Sequence, residues 1–346
     1  MTSLGPIFAD DLARVKPGDR LRLTISAQTS DAAALAQAAL EARARGERVL
    51  VVCADPADVP RLAQEMPWFE PKLDVRPLPD WETLPYDVLS PQEELVSERL
   101  EALYRLTAPT GGADVLLTSA VTASQRLSPV SYIGANTFFF HQGEQISLTT
   151  LQKRLAAAGY TNVKQVLAAG EFAVRGSIVD VFPMGSERPF RLDFFDDEIE
   201  SIRWFDVDTQ RSMESAEEIR LLPGHEFPVD PEALLAFRQR WRREFAGDPK
   251  KSIVYCDIEK EILPPGIEYY LPLFFDETAA LTDYLPPNAR VFLLGDIEAA
   301  LQAFGRDMAS RYKVLAADPQ RPALAPERIW LKPEEFFKSL ANFARF

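Results

Sequence analysis

The segment RVLVVCA, Arg48–Ala54, restricts the possible folds more than any other feature of the chain, because it is apolar at nearly every position. A strand that is exposed on one face alternates apolar and polar side chains, whereas a strand covered on both faces is apolar throughout. The segment therefore predicts a buried strand of a parallel sheet, with helices packed on both sides.

Strands and helices alternate along the first 130 residues, as such a sheet requires. Three further strands are predicted, at Arg20–Ser26, Asp74–Leu78 and Asp114–Thr118. Three helices are predicted between them: Ser30–Arg45, a helix capped at Asp55-Pro56 that runs to Met66, and a helix from a capping box at Ser90–Glu93 to Leu106. We therefore expect an α/β fold with a parallel, doubly wound sheet.

The pattern changes near Ser131 and changes back near Pro223. Between them lies one convincing helix, Thr149–Ala158, among short strands and turns, which predicts an α+β unit with an antiparallel meander. After Pro223, a helix capped at Asp230-Pro231, an irregular stretch over residues 262–287, a strand at Arg290–Leu294 and a helix capped at Gly295-Asp296 are expected. The predicted division is 1–130 and 214–346 for the α/β body, and 131–213 for the inserted α+β domain.

The turn after the first predicted strand is where a phosphate-binding loop would lie in a nucleotide-hydrolysing fold. Such a loop needs glycines to wrap phosphates, a lysine for the β- and γ-phosphates and a Ser or Thr for Mg²⁺. The chain has Ala27-Gln28-Thr29-Ser30-Asp31 instead. Asp31 would repel a phosphate, and Thr29 or Ser30 is expected to be a helix N-cap. The prediction is a degenerate loop without ATPase activity and without a bound cofactor.

The charge balance argues against a nucleic-acid-binding role. The chain has 52 acidic and 38 basic side chains and a net charge of −14, while affinity for nucleic acid depends mainly on Lys and Arg. Two histidines without a CxxC or HExxH pattern make a zinc site improbable. The absence of an apolar stretch of about 18 residues and of a signal peptide predicts a cytoplasmic protein, and Cys53 and Cys256 are expected to be buried thiols.

A strand at Pro189–Asp196 carries the most informative pattern for binding. Period-two alternation places Phe190, Leu192 and Phe194 on a core face, and Arg191, Asp193 and Phe195 on the other face. An aromatic side chain beside an arginine on a polar face has the composition of a protein-binding hot spot. The alternative is that a helix of the same domain covers Phe195. The preceding segment, Ala173–Phe182, does not alternate, so the pattern does not assign a face to Arg175.

The same region carries a family resemblance. The run GEFAVRGSIVDVFPMGSERPFRLDFFDDEIESIRWFDVDTQRS resembles the UvrA-binding domain shared by UvrB and the transcription-repair coupling factors (Mfd). The segments DWETLPYD, SERLEALYRL and LLPGHEFP look like the coupling factors rather than UvrB, and the resemblance extends from about Ile25 to the carboxyl terminus.

The resemblance implies an amino-terminal, UvrB-like adaptor module that recruits UvrA to sites of stalled transcription during nucleotide excision repair. It implies that UvrA contacts Arg175, Arg191 and Phe195, which match the family's contact residues. It further implies that other domains of the intact protein mask this site, and that RNA polymerase, DNA, ATP and Mg are bound by regions beyond Phe346. The segment Leu78–Ser90 lacks the aromatic insertion that forms the DNA-clamping hairpin of UvrB. An NTP-dependent DNA-repair enzyme like UvrB and a nucleic-acid-binding module remain the alternatives.

Overall fold

A computed structural model describes residues 14–23, 28–108 and 112–346. The α-helices are α1 (Gln28–Ala44), α2 (Asp58–Phe69), α3 (Glu93–Thr107), α4 (Ala120–Ser124), α5 (Val130–Ala135), α6 (Leu148–Ala157), α7 (Pro231–Glu244), α8 (Ile253–Glu259), α9 (Ile297–Leu315), α10 (Pro326–Ile329) and α11 (Pro333–Ser339). The strands are β1 (Val49–Cys53), β2 (Val75–Pro77), β3 (Val115–Ser119), β4 (Phe138–His141), β5 (Thr161–Asn162), β6 (Glu171–Arg175), β7 (Ile178–Val181), β8 (Phe190–Phe195), β9 (Glu198–Phe205), β10 (Ser212–Ala216), β11 (Glu218–Leu221), β12 (Arg290–Leu294) and β13 (Ala344–Arg345).

The body is built on a five-stranded parallel sheet in the order β13-β12-β1-β3-β2. All five residues of β1 are buried, as its apolar sequence predicts. Alternate side chains of β1 enter two different apolar clusters: Val51 packs with α1 and α2, and Leu50 packs with α3 and α9. Helices therefore cover both faces, which confirms the predicted doubly wound α/β fold.

The inserted part is mainly antiparallel, also as predicted. Its six-stranded sheet has the order β10-β9-β8-β7-β6-β5, and a separate two-stranded sheet pairs β4 with β11. The β4–β11 pair joins Phe138 to Leu221 and His141 to Glu218, so the antiparallel part closes beyond residue 213. One apolar cluster contains Leu103 of α3 together with Ile202 of β9, and so connects the two parts.

Several caps match the sequence and others do not. Asp230 and Asp296 cap α7 and α9 with their side chains, as expected. Asp55 does not cap α2, which begins at Asp58; its carboxylate accepts a hydrogen bond from the Ala57 amide within the preceding turn. The predicted capping box at Ser90 is also wrong. The Ser90 hydroxyl instead donates to Glu268 at 2.8 Å and accepts from the Gly266 amide at 3.0 Å.

Three further predictions need correction. The strand expected at Arg20–Ser26 is represented only by a single bridge from Arg20 to Arg345, and residues 24–26 lie outside the described ranges. The stretch over 262–287 contains two 3-10 helices, Ile267–Leu273 and Leu281–Tyr284. Cys53 is buried, but Cys256 lies on helix α8 and is only half-buried. Within the described ranges, the helices are all too short or too polar to cross a membrane.

A candidate docking face on the six-stranded sheet

Strand β8 places its side chains on two faces as the sequence predicts. Phe190, Leu192 and Phe194 are buried on one face of the sheet, while Arg191 and Asp193 are partly exposed on the opposite face. The last residue of the strand, Phe195, is 68% exposed. No helix of the same domain covers Phe195 in the described part of the chain, so the alternative of an intramolecular cover is wrong.

The segment Ala173–Phe182 is not one strand but a hairpin, which explains why it does not alternate. Strands β6 and β7 pair through Arg175 and Ile178, and the turn between them includes Gly176 with a φ of +62°. A positive φ favours glycine, because it has no Cβ. The hairpin brings Asp180 of β7 into register with Arg191 of β8.

Asp180 connects the two arginines that the resemblance assigns to partner binding. Its side chain is completely buried and accepts a hydrogen bond from Nη2 of Arg175. It also accepts two hydrogen bonds from Arg191, from Nε at 2.7 Å and from Nη2 at 3.0 Å. The two guanidinium groups therefore share one carboxylate, and the three side chains together keep a net positive charge.

The two arginines differ in how freely they reach solvent. The Arg191 side chain is only 14% exposed, and its Nη1 donates to the carbonyl of Gln210 at 3.1 Å and to the hydroxyl of Ser212 at 3.2 Å. Its guanidinium carbon lies 5.0 Å from the centre of the Phe205 ring. Hydrogen bonding to Asp180 raises the pKa of Arg191. The Arg175 side chain is 49% exposed and is the more available of the two.

Phe195 lies at the end of a tight hairpin. It pairs with Glu198 of β9, and the two residues between them form the turn, in which Asp196 has a φ of +52°. The sequence FDDE predicts this hairpin, and the structure confirms it. A two-residue turn fixes the pairing of the residues that adjoin it, so the backbone of Phe195 has a defined place on the face.

Arg203 of β9 belongs to the same face, and the sequence reasoning did not single it out. It is directly opposite Arg191 in the β8–β9 ladder, because a register shift on β9 falls between the pairs Asp193–Ser201 and Phe194–Ile199. Residues directly opposite each other in an antiparallel pair project from the same face. Arg203 is exposed. Without this register shift, the two-residue turn at Asp196-Asp197 would place Ile202 opposite Arg191. The sequence does not indicate the shift, so it does not predict that Arg203 lies beside Arg191.

The region of the predicted degenerate loop is only partly described. Ala27 lies outside the described residues, and Gln28, Thr29 and Ser30 are described only as backbone of α1. Because Thr29 and Ser30 lie inside this helix, the expected N-cap at one of them is wrong. Asp31 is buried, and its carboxylate accepts hydrogen bonds from Arg61 of α2 at 2.7 and 3.0 Å. An ion pair between two helices thus occupies the start of α1.

The histidines and acidic side chains do not form a metal centre in the described ranges, where no cluster of three or more candidate ligands occurs. The ring of His225 stacks on Phe227 with their centres 5.4 Å apart. Burial lowers the pKa of His225 to about 4. A neutral, stacked imidazole of this kind is a packing residue.

The candidate docking face lies within the stretch of the chain that matches a named protein domain. The UvrB interaction domain family matches residues 138–227, a stretch that contains Arg175, Asp180, Arg191, Phe195 and Arg203. The chain is 42% identical to a transcription-repair-coupling factor of Escherichia coli over 298 residues, which is 86% of this chain and 26% of that protein. It is 44% identical to the Haemophilus influenzae protein of the same name over 275 residues, 79% of this chain and 24% of that protein. A Bacillus subtilis relative of the same name is 32% identical over 216 residues. The chain spans about a quarter of the length of the first two relatives.

Proposed function

We propose that this chain is a protein-binding adaptor that recruits UvrA during nucleotide excision repair. Two findings support the proposal: residues 138–227 match the UvrB interaction domain, and the chain is similar to the amino-terminal region of bacterial transcription-repair-coupling factors. In this role it brings damage recognition to sites where transcription has stalled. The chain itself does not hydrolyse ATP and needs no cofactor. RNA polymerase and DNA are engaged by parts of the coupling factors that this chain does not cover.

The observation that supports this proposal best is the shared buried carboxylate beneath a half-exposed arginine and an exposed phenylalanine. Asp180 holds Arg175 and Arg191 side by side, and Phe195 projects from the same face of β8 as Arg191. An arginine already oriented by one carboxylate has less side-chain entropy to lose on meeting a second one. Arg175 therefore pairs with a carboxylate of UvrA, and Phe195 fills an apolar recess beside it.

The charges around the face favour a protein partner over a nucleic acid. Between Phe190 and Asp208 the sequence has seven acids and two arginines. The acids are Asp193, Asp196, Asp197, Glu198, Glu200, Asp206 and Asp208. Such a surround repels a phosphate backbone, while the arginines within it admit a partner whose own charges are complementary. This pattern opposes both the nucleic-acid-binding alternative and an enzyme that clamps DNA as UvrB does.

Binding of purified UvrA to wild-type chain and to single variants tests the proposal. Truncation of a central hot-spot residue costs about 2 kcal/mol, so Phe195→Ala is expected to weaken UvrA binding about thirtyfold. Glu200→Ala, an exposed change on the neighbouring strand, is the matched control and is expected to change binding little. Circular dichroism spectra must show that both variants are folded. Wild-type affinity in the folded Phe195→Ala variant would contradict the proposed docking face.

A further inference from the structure

A second recessed surface lies between helix α3 of the body and two loops of the antiparallel part, residues 167–169 and 182–187. The groove has a volume of about 430 Å³, within the range of about 300–1,000 Å³ that is usual for ligand pockets. Arg175, Arg191 and Phe195 do not line it. It is therefore separate from the proposed UvrA face, although both involve the antiparallel part.

One wall of the groove is a single face of α3. The lining residues Glu94, Ser97, Glu98, Glu101 and Ala102 recur at intervals of three and four positions. Side chains with this spacing project from the same side of a helix. The groove therefore has a straight, rigid wall that carries three carboxylates.

The opposite wall is mainly apolar, apart from Ser186 and Glu187, and hydrogen bonds hold its backbone in place. Leu167 is 58% exposed, and the backbone amides of Leu167 and Ala168 both donate to the carboxylate of Glu171, at 2.7 and 3.0 Å. The amide of Gly185 donates to the Ser97 hydroxyl at 2.7 Å and so ties this wall to α3. A large aliphatic side chain on a backbone fixed in this way is already placed for contact, which lowers the entropic cost of binding.

Three of the four carboxylates that line the groove have no cationic partner in the described part of the chain. Glu101 is neutralised by Arg105 at 2.7 Å and by Arg220, and Arg76 is neutralised by Asp74 at 2.6 Å. The other three lining carboxylates are exposed and form no ion pair within the described part of the chain: Glu94, Glu98 and Glu187. Partial burial and the nearby Glu82 raise the pKa of Glu98, as expected for a carboxylate that lacks a cationic partner.

We propose that this groove is a second docking site, which binds a cationic amphipathic polypeptide segment. An apolar side chain of that segment packs on Leu167, and flanking Lys or Arg side chains pair with Glu94, Glu98 and Glu187. The proposal rests on charge complementarity and on the fixed apolar wall, and it goes beyond recruitment of UvrA. A polyanion such as DNA is excluded from this groove by the same carboxylates.

Fluorescence anisotropy with labelled synthetic peptides tests the proposal on the whole chain. The probe is a short peptide of Leu and Lys residues; one reference peptide has Glu in place of Lys, and another has Ser in place of Leu. Saturable binding is expected only for the Leu/Lys peptide, with an affinity that falls as salt is added. Equal binding of the Ser/Lys peptide, or no binding of the Leu/Lys peptide, would overturn the proposal.

Groove variants locate the binding. Leu167→Ser removes apolar contact and is expected to lower the affinity for the Leu/Lys peptide about tenfold. Glu94→Gln with Glu98→Gln removes two exposed charges and is expected to weaken it about fivefold. The matched control, Glu200→Gln with Glu217→Gln, removes two exposed charges elsewhere on the antiparallel part and is expected to leave it unchanged. Phe195→Ala is also expected to leave the affinity for the Leu/Lys peptide unchanged. The peptide test of the groove and the UvrA test of the docking face can therefore fail independently of each other. If the control pair weakens binding as much as the groove pair, the peptide recognises overall charge and the site is wrong.

Discussion

The carboxylate of Asp180 is completely buried and accepts two hydrogen bonds from Arg191, at 2.7 Å from Nε and at 3.0 Å from Nη2. The remaining terminal nitrogen of Arg191 is engaged by Gln210 and Ser212. Arg191 is therefore satisfied within the domain before any partner arrives. In the proposed function, Arg191 positions Asp180, and Asp180 orients the more exposed Arg175 towards UvrA.

The first prediction is that Arg191→Ala destabilises the chain. Removal of one member of a buried ion pair typically costs about 3 to 5 kcal/mol, and the remaining bond from Arg175 places the expected loss near 3 kcal/mol. Urea unfolding followed by circular dichroism measures it. Phe195→Ala is the control, and its exposed ring predicts a change within about 0.5 kcal/mol. Equal stability of wild type and Arg191→Ala would show that the Asp180 pair contributes nothing to folding.

The second prediction concerns Arg203, whose substitution tests the contribution of charge to binding without changing the stability of the fold. Arg203 is exposed and lies opposite Arg191, so Arg203→Ala removes a cation from the docking face without opening a buried pair. We expect unchanged unfolding, UvrA affinity about fivefold lower, and a weaker dependence of affinity on salt. Arg211→Ala, an exposed change in the loop before β10, is the control. An Arg203→Ala variant with the affinity and salt dependence of wild type would remove Arg203 from the face.

Local periodicity was sufficient to predict which side chains of β8 point outward, because alternation depends only on neighbours in sequence. The same reasoning did not find Asp180, since its segment is a hairpin and its partners come from two other strands. The importance of Asp180 depends on burial and on register, and both are set by pairing across the sheet. The outward facing of Arg191 and Phe195 was thus predictable, but the facing of Arg175, the neighbour Arg203 and the carboxylate of Asp180 were not.

A tertiary contact replaced one helix cap that the sequence favoured, and another engaged a carboxylate for which the sequence predicted no partner. Ser90 has the spacing of a capping box, yet its hydroxyl bonds to Glu268 and Gly266, which are distant in sequence. Asp31 was expected only to repel a phosphate, and it forms an ion pair with Arg61 of the next helix. Polar side chains near helix ends can bond to partners that are close or distant in sequence, and a sequence pattern predicts only the close partner.

The third prediction concerns the boundaries of the inserted domain. A fragment of residues 131–213 lacks β11, the partner of β4, and it also lacks Leu222, whose carbonyl accepts a hydrogen bond from the Tyr160 hydroxyl at 2.8 Å. We expect a fragment of residues 136–227 to unfold cooperatively in urea, and the 131–213 fragment to unfold at lower urea or to be insoluble. Equal stability of the two fragments would show that the β4–β11 pair is dispensable.

The fourth prediction is that the chain does not bind ATP or ADP. The segment after Ser26 has neither lysine nor glycine before Asp31, and the Asp31–Arg61 ion pair places a carboxylate at the start of α1. Calorimetric titration with Mg-ATP is expected to show no saturable heat. Asp31→Asn removes the repelling charge, and this variant is also expected not to bind Mg-ATP because the lysine and glycines are still missing. A micromolar dissociation constant, about −8 kcal/mol, would contradict the degenerate-loop interpretation.

The fifth prediction is a loss of stability in acid that depends on His225. Burial lowers the pKa of its imidazole to about 4, against 6.5 for an unperturbed histidine. Between these values the unfolded chain binds a proton that the folded chain does not, so the free energy of unfolding falls as the pH drops from about 6.5 towards 4. At higher pH both states carry a neutral imidazole, and the contribution is constant.

The comparison must be made with a variant, because Glu268 lines the same cavity and acts in the opposite direction. Burial raises the pKa of Glu268 to about 7, so its protonation on acidification stabilises the folded chain. His225→Gln removes only the histidine contribution. We expect the difference in unfolding free energy between wild type and His225→Gln to decrease steadily as the pH is lowered from 6.5 towards 4. A difference that stays constant over this range would show that the imidazole titrates normally in the folded chain, and that its stacking on Phe227 does not exclude the charged form.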